Sequence, residues 1–329
     1  MKKNKGISVV IPNYNGKNLL PNILPPLYKA LNNTQLLYEV IISDDCSTDG
    51  SIQFLKDNFE DIIILRAETN KGFSPTINKG IFATQYDLIL LLNSDVKLTE
   101  NYFENLLPYF ECEDTFGVMG RIIGWENDSI QDGGKYPSFH GAKIKTSGNF
   151  KPVESNISDR LYSFYLSGAN AMVCAKKIKK LGGFNEMFAP FYIEDVELSI
   201  RAWRIGYKCY YEHNAICRHK TSTTIKSNSS KKNINTIYYR NKMYLHALHL
   251  DGEKKWLWYL QLIAETILHI ITGKLWYFTS LKMFFKSVKE IKNCKSSFSY
   301  LAAKKKLEPT NMVIKTIIKN LKNKGVIKL

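Results

Sequence analysis

Two acidic stretches about a hundred residues apart carry the clearest chemistry in this chain. The first is Asn93-Ser94-Asp95, which ends an apolar run at residues 88–92. The second is Glu194-Asp195, which opens an amphipathic run at residues 196–205. A carboxylate at the C-terminal tip of a buried strand stands where α/β sheets bind ligands, and it suits a hard divalent ion. Two carboxylates at a helix start are stabilised by the helix dipole, and one of them can act as a base. The pattern thus offers one acid to hold a cation and another to take a proton.

The elements that must position these acids alternate between strand and helix. Buried strands are expected at 7–11, 39–43, 61–66 and 88–92, with helices at 18–32, 51–59 and 74–83. Pro21, Pro25 and Pro26 interrupt the first helical pattern. Ser47 or Asp49 is the expected N-cap of the second helix. Pro75 suits the first turn of the third. Such alternation implies an α/β fold with a doubly wound, mostly parallel sheet. Further on, a helix is expected at 102–110, a strand at 117–124, and a long loop or hairpin region at 127–148. A strand at 171–174, a short basic helix before Gly182-Gly183, a helix at 196–205 and a strand at 208–211 follow.

Each of the first four strands delivers polar, loop-forming residues to one crevice. These are Pro12-Asn13-Tyr14-Asn15, then Asp44-Asp45-Cys46-Ser47-Thr48-Asp49, then Asn70-Lys71-Gly72-Phe73 followed by Asn78, then Asn93-Ser94-Asp95. Tyr14 can stack on a flat base, and a carboxylate at Asp45 can accept an imide N–H. Gly72 lets backbone approach a ligand. Lys71 or Lys79 can neutralise diphosphate charge.

In combination these motifs resemble the family 2 glycosyltransferases, inverting enzymes with a GT-A nucleotide-sugar fold. The resemblance spans roughly residues 6–220. It implies transfer of a sugar from a UDP- or dTDP-type donor to a hydroxyl. It makes Asp195 the base, with Glu194 beside it, and places Asp45, rather than Asp44, at the nucleobase. Asn93-Ser94-Asp95 lies at the family's metal signature, where the first acid is here Asn93. Asp95 is then the one anionic ligand, and His219, after the last catalytic strand, is the expected second ligand of Mg²⁺ or Mn²⁺. Gly168, Ala169 and Trp125 are expected on the acceptor side. A nucleotidyltransferase shares this sheet, but Pro12-Asn13-Tyr14-Asn15-Gly16-Lys17 lacks the glycine density its phosphate loop requires.

Charge divides the chain. From Lys254 to Leu329 there are 16 Lys, no Arg and three acids, so that segment holds +13 of the net +16. A Lys-only basic segment suits an anionic membrane surface better than nucleic-acid reading, which relies on Arg forks. Trp256, Leu260, Ile263, Ile267 and Ile270 share one face there, opposite a narrow stripe of Gln261, Glu265 and His269. No run approaches the roughly 20 apolar residues needed to span a bilayer. The expected organisation is a catalytic domain at 1–220 (nucleotide-binding half to about 100), a linker and helix at 221–253, and a basic amphipathic helical tail at 254–329. Ser222 to Lys232 is polar and expected to be mobile. The tail either lies on the membrane or packs on the domain. No signal peptide is recognised, and the six scattered Cys suggest neither zinc nor disulfides, so the expected location is the cytoplasmic face of the membrane. The expected partners are a nucleotide-sugar donor, a glycan or lipid-linked acceptor (alternatively a soluble or protein acceptor) and anionic lipid, with no nucleic acid.

Overall fold

The computed structural model describes residues 5–154, 160–220, 230–301, 307–322 and 324–329. Its first half alternates β1 (Gly6–Asn13), α1 (Leu20–Asn33), β2 (Leu37–Asp44), α2 (Ser51–Asn58), β3 (Ile63–Arg66), α3 (Phe73–Ala83) and β4 (Leu88–Leu92). These four strands are parallel, in the spatial order β3-β2-β1-β4. The continuous apolar runs follow from burial on both faces. Along β1, Ile7, Val9 and Ile11 pack with Ile23, Leu24 and Leu27 of α1, while Val10 faces Ile77 and Ile81 of α3.

The helix α1 runs unbroken through Pro25 and Pro26. Interior proline costs a helix about 3 kcal/mol. Ile23, Leu24, Leu27 and Leu31 are all fully buried there, and each such side chain contributes about 1.5–3 kcal/mol. Burial therefore outweighs the two lost hydrogen bonds. The cap of α2 is Gly50, with φ 80°, rather than Ser47 or Asp49.

The second half adds β5 (Val96–Leu98), β6 (Thr115–Gly124), β7 (Ile130–Asp132), β8 (Gly134–Lys135), β9 (Ser138–His140), β10 (Lys143–Lys145), β11 (Asn149–Pro152), β12 (Leu161–Tyr162), β13 (Asn170–Cys174) and β14 (Lys208–His219). Strand β13 lies antiparallel between β4 and β6, and β14 lies parallel beside β6. The 102–110 segment is turns and a 3-10 helix at Leu107–Glu111 instead of an α-helix. Pro108 restricts Leu107 and removes a donor, which explains the tighter winding. The last sheet strand is longer than its apolar part suggests. It continues through polar residues to His219. Two more helices, α4 (Ala175–Lys180) and α5 (Glu194–Arg204), cover the sheet.

The C-terminal third is helical: α6 (Lys231–His249), α7 (Gly252–Ile271), α8 (Trp276–Lys286), α9 (Val288–Leu301) and α10 (Thr310–Lys322), then β15 (Val326–Lys328). Most of the polar stretch expected as a mobile linker lies outside the described residues. The segment from 254 onward does not stay apart from the rest. Val313, Ile317 and Leu321 of α10 are fully buried in the main core, and β15 pairs antiparallel with β11.

Candidate active site

The loops after β1 and β2 are tied together by a buried polar network. Asn13 Nδ2 donates to Asp44 Oδ1 at 2.8 Å and to Ser47 Oγ at 3.1 Å. The Ser47 backbone N–H donates to Asp44 Oδ2 at 2.9 Å. Asn15, at φ 54°, accepts from Thr48 N at 2.8 Å and donates its own N–H to Ser47 Oγ. Asp44 is therefore a structural carboxylate. Tyr14 and Pro12 are half-buried beside this network.

Asp45 has a different duty. Its two oxygens accept the backbone N–H groups of Lys71 and Gly72, at 2.8 and 2.9 Å, so it fixes the loop after β3. It also lines a cavity of about 510 Å³ with Arg66, Glu68, Thr69 and Lys71. Gly72 has φ 85°, and a Cβ there would stand 2.5 Å from Pro190 Cα. Only glycine lets these two loops meet. Phe73 N then donates to Pro190 O at 2.8 Å.

Asn78 and Lys79 line the same cavity, and both are also tied internally. Asn78 Nδ2 donates to Phe184 O and Glu186 Oε1, and its Oδ1 accepts from Phe184 N. That uses both amide donors on the protein and clamps the Gly182-Gly183-Phe184 turn. Lys79 Nζ donates to Arg66 O at 2.7 Å. Lys71 and Asn70 remain exposed at the loop.

The predicted metal pair comes together. Strand β14 runs antiparallel to β5, with His219 opposite Val96. His219 Nε2 stands 3.4 Å from Asp95 Oδ2, and His219 Nδ1 is 2.8 Å from Gln131 Oε1. With Gln131 Oε1 accepting from Nδ1–H, the Nε2 lone pair is left facing Asp95. Asp95 Oδ1 and Asn93 Oδ1 are buried without a hydrogen-bond partner. Orphaned oxygens beside an imidazole fit a divalent cation. Among the described residues no set of three His, Cys, Asp or Glu forms a closed cage. An incomplete set leaves room for a ligand's own oxygens. Ser94 adjoins Gly16 of the first loop.

The acid pair is linked to the metal pair through the turn before β13. Val196 N donates to Asp195 Oδ1 at 2.7 Å, and the Gly168 N–H also points at this carboxylate. The neighbouring carbonyl, Ala169 O, accepts from Asn93 N at 3.0 Å. Gly168 and Ala169 thus bridge the acid pair to the metal pair. Burial pushes the Asp195 carboxyl up to about 6, with Lys135 opposing and Asp132 reinforcing the rise. Burial, then the charge of Asp195, holds Glu194 well above the ordinary range. Glu194 Oε2 has no hydrogen-bond partner. Trp125 follows Gly124, which pairs with His219 at the tip of β14, and the Lys97 ammonium lies 4.5 Å above its ring. That cation covers one of the faces a sugar would stack on.

Three contributors escape sequence reading. Gln131 orients His219, while Lys135, ion-paired to Asp132, lies beneath Asp195. Gly133-Gly134 between them was the available signal, since paired glycines mark backbone built for close approach. The third is Arg240-Asn241, a polar pair interrupting the apolar face of α6 that carries Ile237, Tyr244 and Leu248. It grips the loop ahead of Glu194. Tyr192 and Ile193 in that loop have φ of 75° and 74°. Left-handed backbone at such residues costs about 1–3 kcal/mol each and persists only when held by its surroundings.

Residues 8–182, more than half of the chain, match the model of glycosyl transferase family 2. The chain belongs to that family. An undecaprenyl-phosphate 4-deoxy-4-formamido-L-arabinose transferase of Proteus mirabilis is 35% identical over 118 residues, 35% of this chain and 36% of that protein. Its namesake in Pseudomonas fluorescens is 30% identical over 139 residues, 40% of this chain and 39% of that one. The match therefore spans under two fifths of these curated relatives.

Among solved structures, GalNAc-T7 with UDP, GalNAc and Mn²⁺ superposes with a TM-score of 0.71 at 14% identity, over 98% of this chain and 58% of that one. S. aureus TarS 1-349 gives 0.55 at 15% identity, over 97% and 91%. A mannosyltransferase of Pyrobaculum calidifontis in complex with GDP-Man and Mn²⁺ gives 0.52 at 14% identity, over 98% and 89%. At these identities the likeness is one of fold.

Proposed function

We propose that the protein is an inverting glycosyltransferase, moving a sugar from a UDP- or dTDP-type donor to a hydroxyl of a lipid-linked glycan in cell-surface polysaccharide assembly. One observation carries the reading. Asp95 and His219 are connected to Asp195, and so to its neighbour Glu194, by contacts through Asn93, Ala169 and Gly168. In the reaction the acceptor oxygen bonds to the anomeric carbon as Asp195 takes its proton. The bond from that carbon to the diphosphate oxygen breaks, and its electron pair leaves with the nucleoside diphosphate. Attack from the face opposite the leaving group inverts the centre. Mg²⁺ or Mn²⁺, held by Asp95 and His219, would supply positive charge to the departing diphosphate.

The acid pair supports a hydroxyl acceptor over a phosphate one. A phosphate oxygen is already anionic and needs no base, and an ionised Asp195 would repel it. The cavity beside Asp45 supports a place for the nucleobase, with Tyr14 as its stacking wall.

The tail supports a site at the membrane surface. Among the described residues no helix is long and apolar enough to cross a bilayer. Helix α7 buries only a narrow face, made of Trp258, Leu262 and His269. Its polar stripe also meets the body: Gln261 accepts from Ala142 N, Glu265 pairs with Lys143, and the His269 ring lies 4.2 Å from that of Tyr277. Its apolar stripe faces out, with Trp256 at 74% exposure, Leu260 at 64% and Ile271 at 77%. Lys282, Lys286 and Lys289 flank the exposed Phe285 nearby. Such a surface fits the interface of an anionic bilayer.

The test is a calorimetric panel of UDP-, dTDP- and GDP-sugars, with and without Mn²⁺ or Mg²⁺. The expected result is a pyrimidine donor that binds only with metal. Binding of no nucleotide sugar under any condition would overturn the proposal.

A further inference from the structure

The loop before Glu194 is held from behind by two residues that touch neither expected substrate. Asn241 Nδ2 donates to the carbonyls of Phe188, Phe191 and Tyr192, at 2.7, 3.0 and 2.8 Å. Arg240 Nε and Nη2 both donate to Asn241 Oδ1, at 2.9 and 2.8 Å, which fixes which way the amide faces. Arg240 Nη2 also donates to Ala189 O. Four carbonyls of one short loop are thus captured by adjacent residues of α6. Asn241 is fully buried.

The loop they capture joins both halves of the crevice. Its Pro190 meets Gly72 and accepts from Phe73 N, on the donor side. Its far end is Tyr192 and Ile193, whose left-handed backbone aims Glu194 and Asp195. Capture of the Tyr192 carbonyl holds that unfavourable turn in place. Behind α6 stands the helical tail: Ser280 Oγ donates to Thr236 O at 2.8 Å, and Tyr244 OH meets Ser287 Oγ at 2.8 Å. The helix that grips the loop is itself braced by α8 and the start of α9.

We infer that Arg240 and Asn241 are positioning residues, which hold the 188–193 loop so that Asp195 faces the acceptor. The inference rests on the reading of Asp195 as base. It predicts that loss of the grip impairs the chemical step while leaving nucleotide binding in place, because Asp45 holds the Lys71 and Gly72 amides by itself, and the network around Asn13 and the Asp95–His219 pair does not depend on α6.

The variant Asn241→Asp keeps the oxygen that Arg240 holds and removes every N–H given to the loop. Arg240→Lys keeps the charge and loses the two-nitrogen fork. Each is compared in the full chain with the parent and with Asp195→Asn. The readouts are UDP·Mn²⁺ affinity, release of UDP or dTDP from a panel of UDP- and dTDP-sugars with a short lipid-linked acceptor, and hydrogen exchange of the 188–196 segment. The expected result for Asn241→Asp is a loss of turnover of roughly 100-fold, the scale set by about 1 Å of misplacement. UDP·Mn²⁺ affinity should be unchanged and exchange in the segment faster. Parent-like turnover and exchange would overturn the inference. So would parallel loss of affinity, turnover and melting temperature in both variants, which marks a role in stability alone. Parent-like turnover in Asp195→Asn would instead overturn the base assignment, and loop exchange would then judge the grip by itself.

Discussion

His219 and Asp95 face each other from the tips of two antiparallel strands, with Nε2 3.4 Å from Oδ2. A cation between them would have one anionic oxygen and one imidazole nitrogen from the protein. Removing either should abolish metal-dependent nucleotide binding. Gln131→Ala should weaken Mn²⁺-dependent UDP binding by about 10–100-fold, the usual effect of losing an outer-shell partner. Titration calorimetry of UDP with and without Mn²⁺ measures this. Equal affinity for UDP in Gln131→Ala and the parent would remove Gln131 from the metal site.

The pH dependence of transfer follows from Asp195. A base works only when ionised, so turnover should climb as pH rises through about 6. Lys135 holds the Asp195 value down, and Asp132 pushes it up. Lys135→Met removes the cation and leaves Asp132 unpaired, and both changes act in one direction. The rising limb should move to higher pH. A limb that stays put, or moves lower, would exclude Lys135 from the electrostatics of the base.

The same burial has a stability consequence. Glu194 and Asp195 hold protons more tightly folded than unfolded. Their contribution to stability therefore falls as pH rises from the ordinary carboxyl range through the raised values. Asp195→Asn should melt above the parent at pH 8, with the gap closing near pH 4. Thermal melts across that range check the sign. Sites that keep strained or desolvated groups for function often gain stability when those groups are neutralised.

The C-terminal segment separates into a part that holds the fold and an exposed apolar part, which the proposal assigns to lipid. Leu321→Ala should cost about 2–5 kcal/mol, since the side chain is fully buried in the main core. Ile263→Glu with Ile267→Glu should leave the melting temperature unchanged, because both residues are more than half exposed. The double variant should fail to sediment with anionic vesicles. Parent-like sedimentation would remove α7 from the membrane contact.

Much of this architecture was legible because local and global signals agreed. The run Leu88–Leu92 is apolar at every position and lies at the centre of the sheet, and Asp95 follows where the chain leaves it. Glu194-Asp195 likewise opens a helix. What escaped was set by contacts across long sequence separation. Nothing near Asn78 shows that its amide closes on Phe184, more than a hundred residues on. Nothing near Asp45 shows that its oxygens meet the Lys71 and Gly72 amides. The prolines of α1 mislead because propensity is weak beside four buried aliphatic side chains. In α7 the apolar stripe was visible, but not which stripe faces the body. Burial of Trp258 and Leu262, with Gln261 and Glu265 bonded to partners near residue 142, decides that.

The central claim is that one acid in this crevice serves the proton and another serves the cation. The most direct measurement compares Asp195→Asn with Asp95→Asn, scoring UDP·Mn²⁺ affinity and sugar transfer on the same samples. Asp195→Asn should bind UDP·Mn²⁺ as the parent does and transfer no sugar, while Asp95→Asn should lose the metal-dependent binding itself. Transfer at the parent rate by Asp195→Asn, or undiminished metal-dependent binding by Asp95→Asn, would contradict the account.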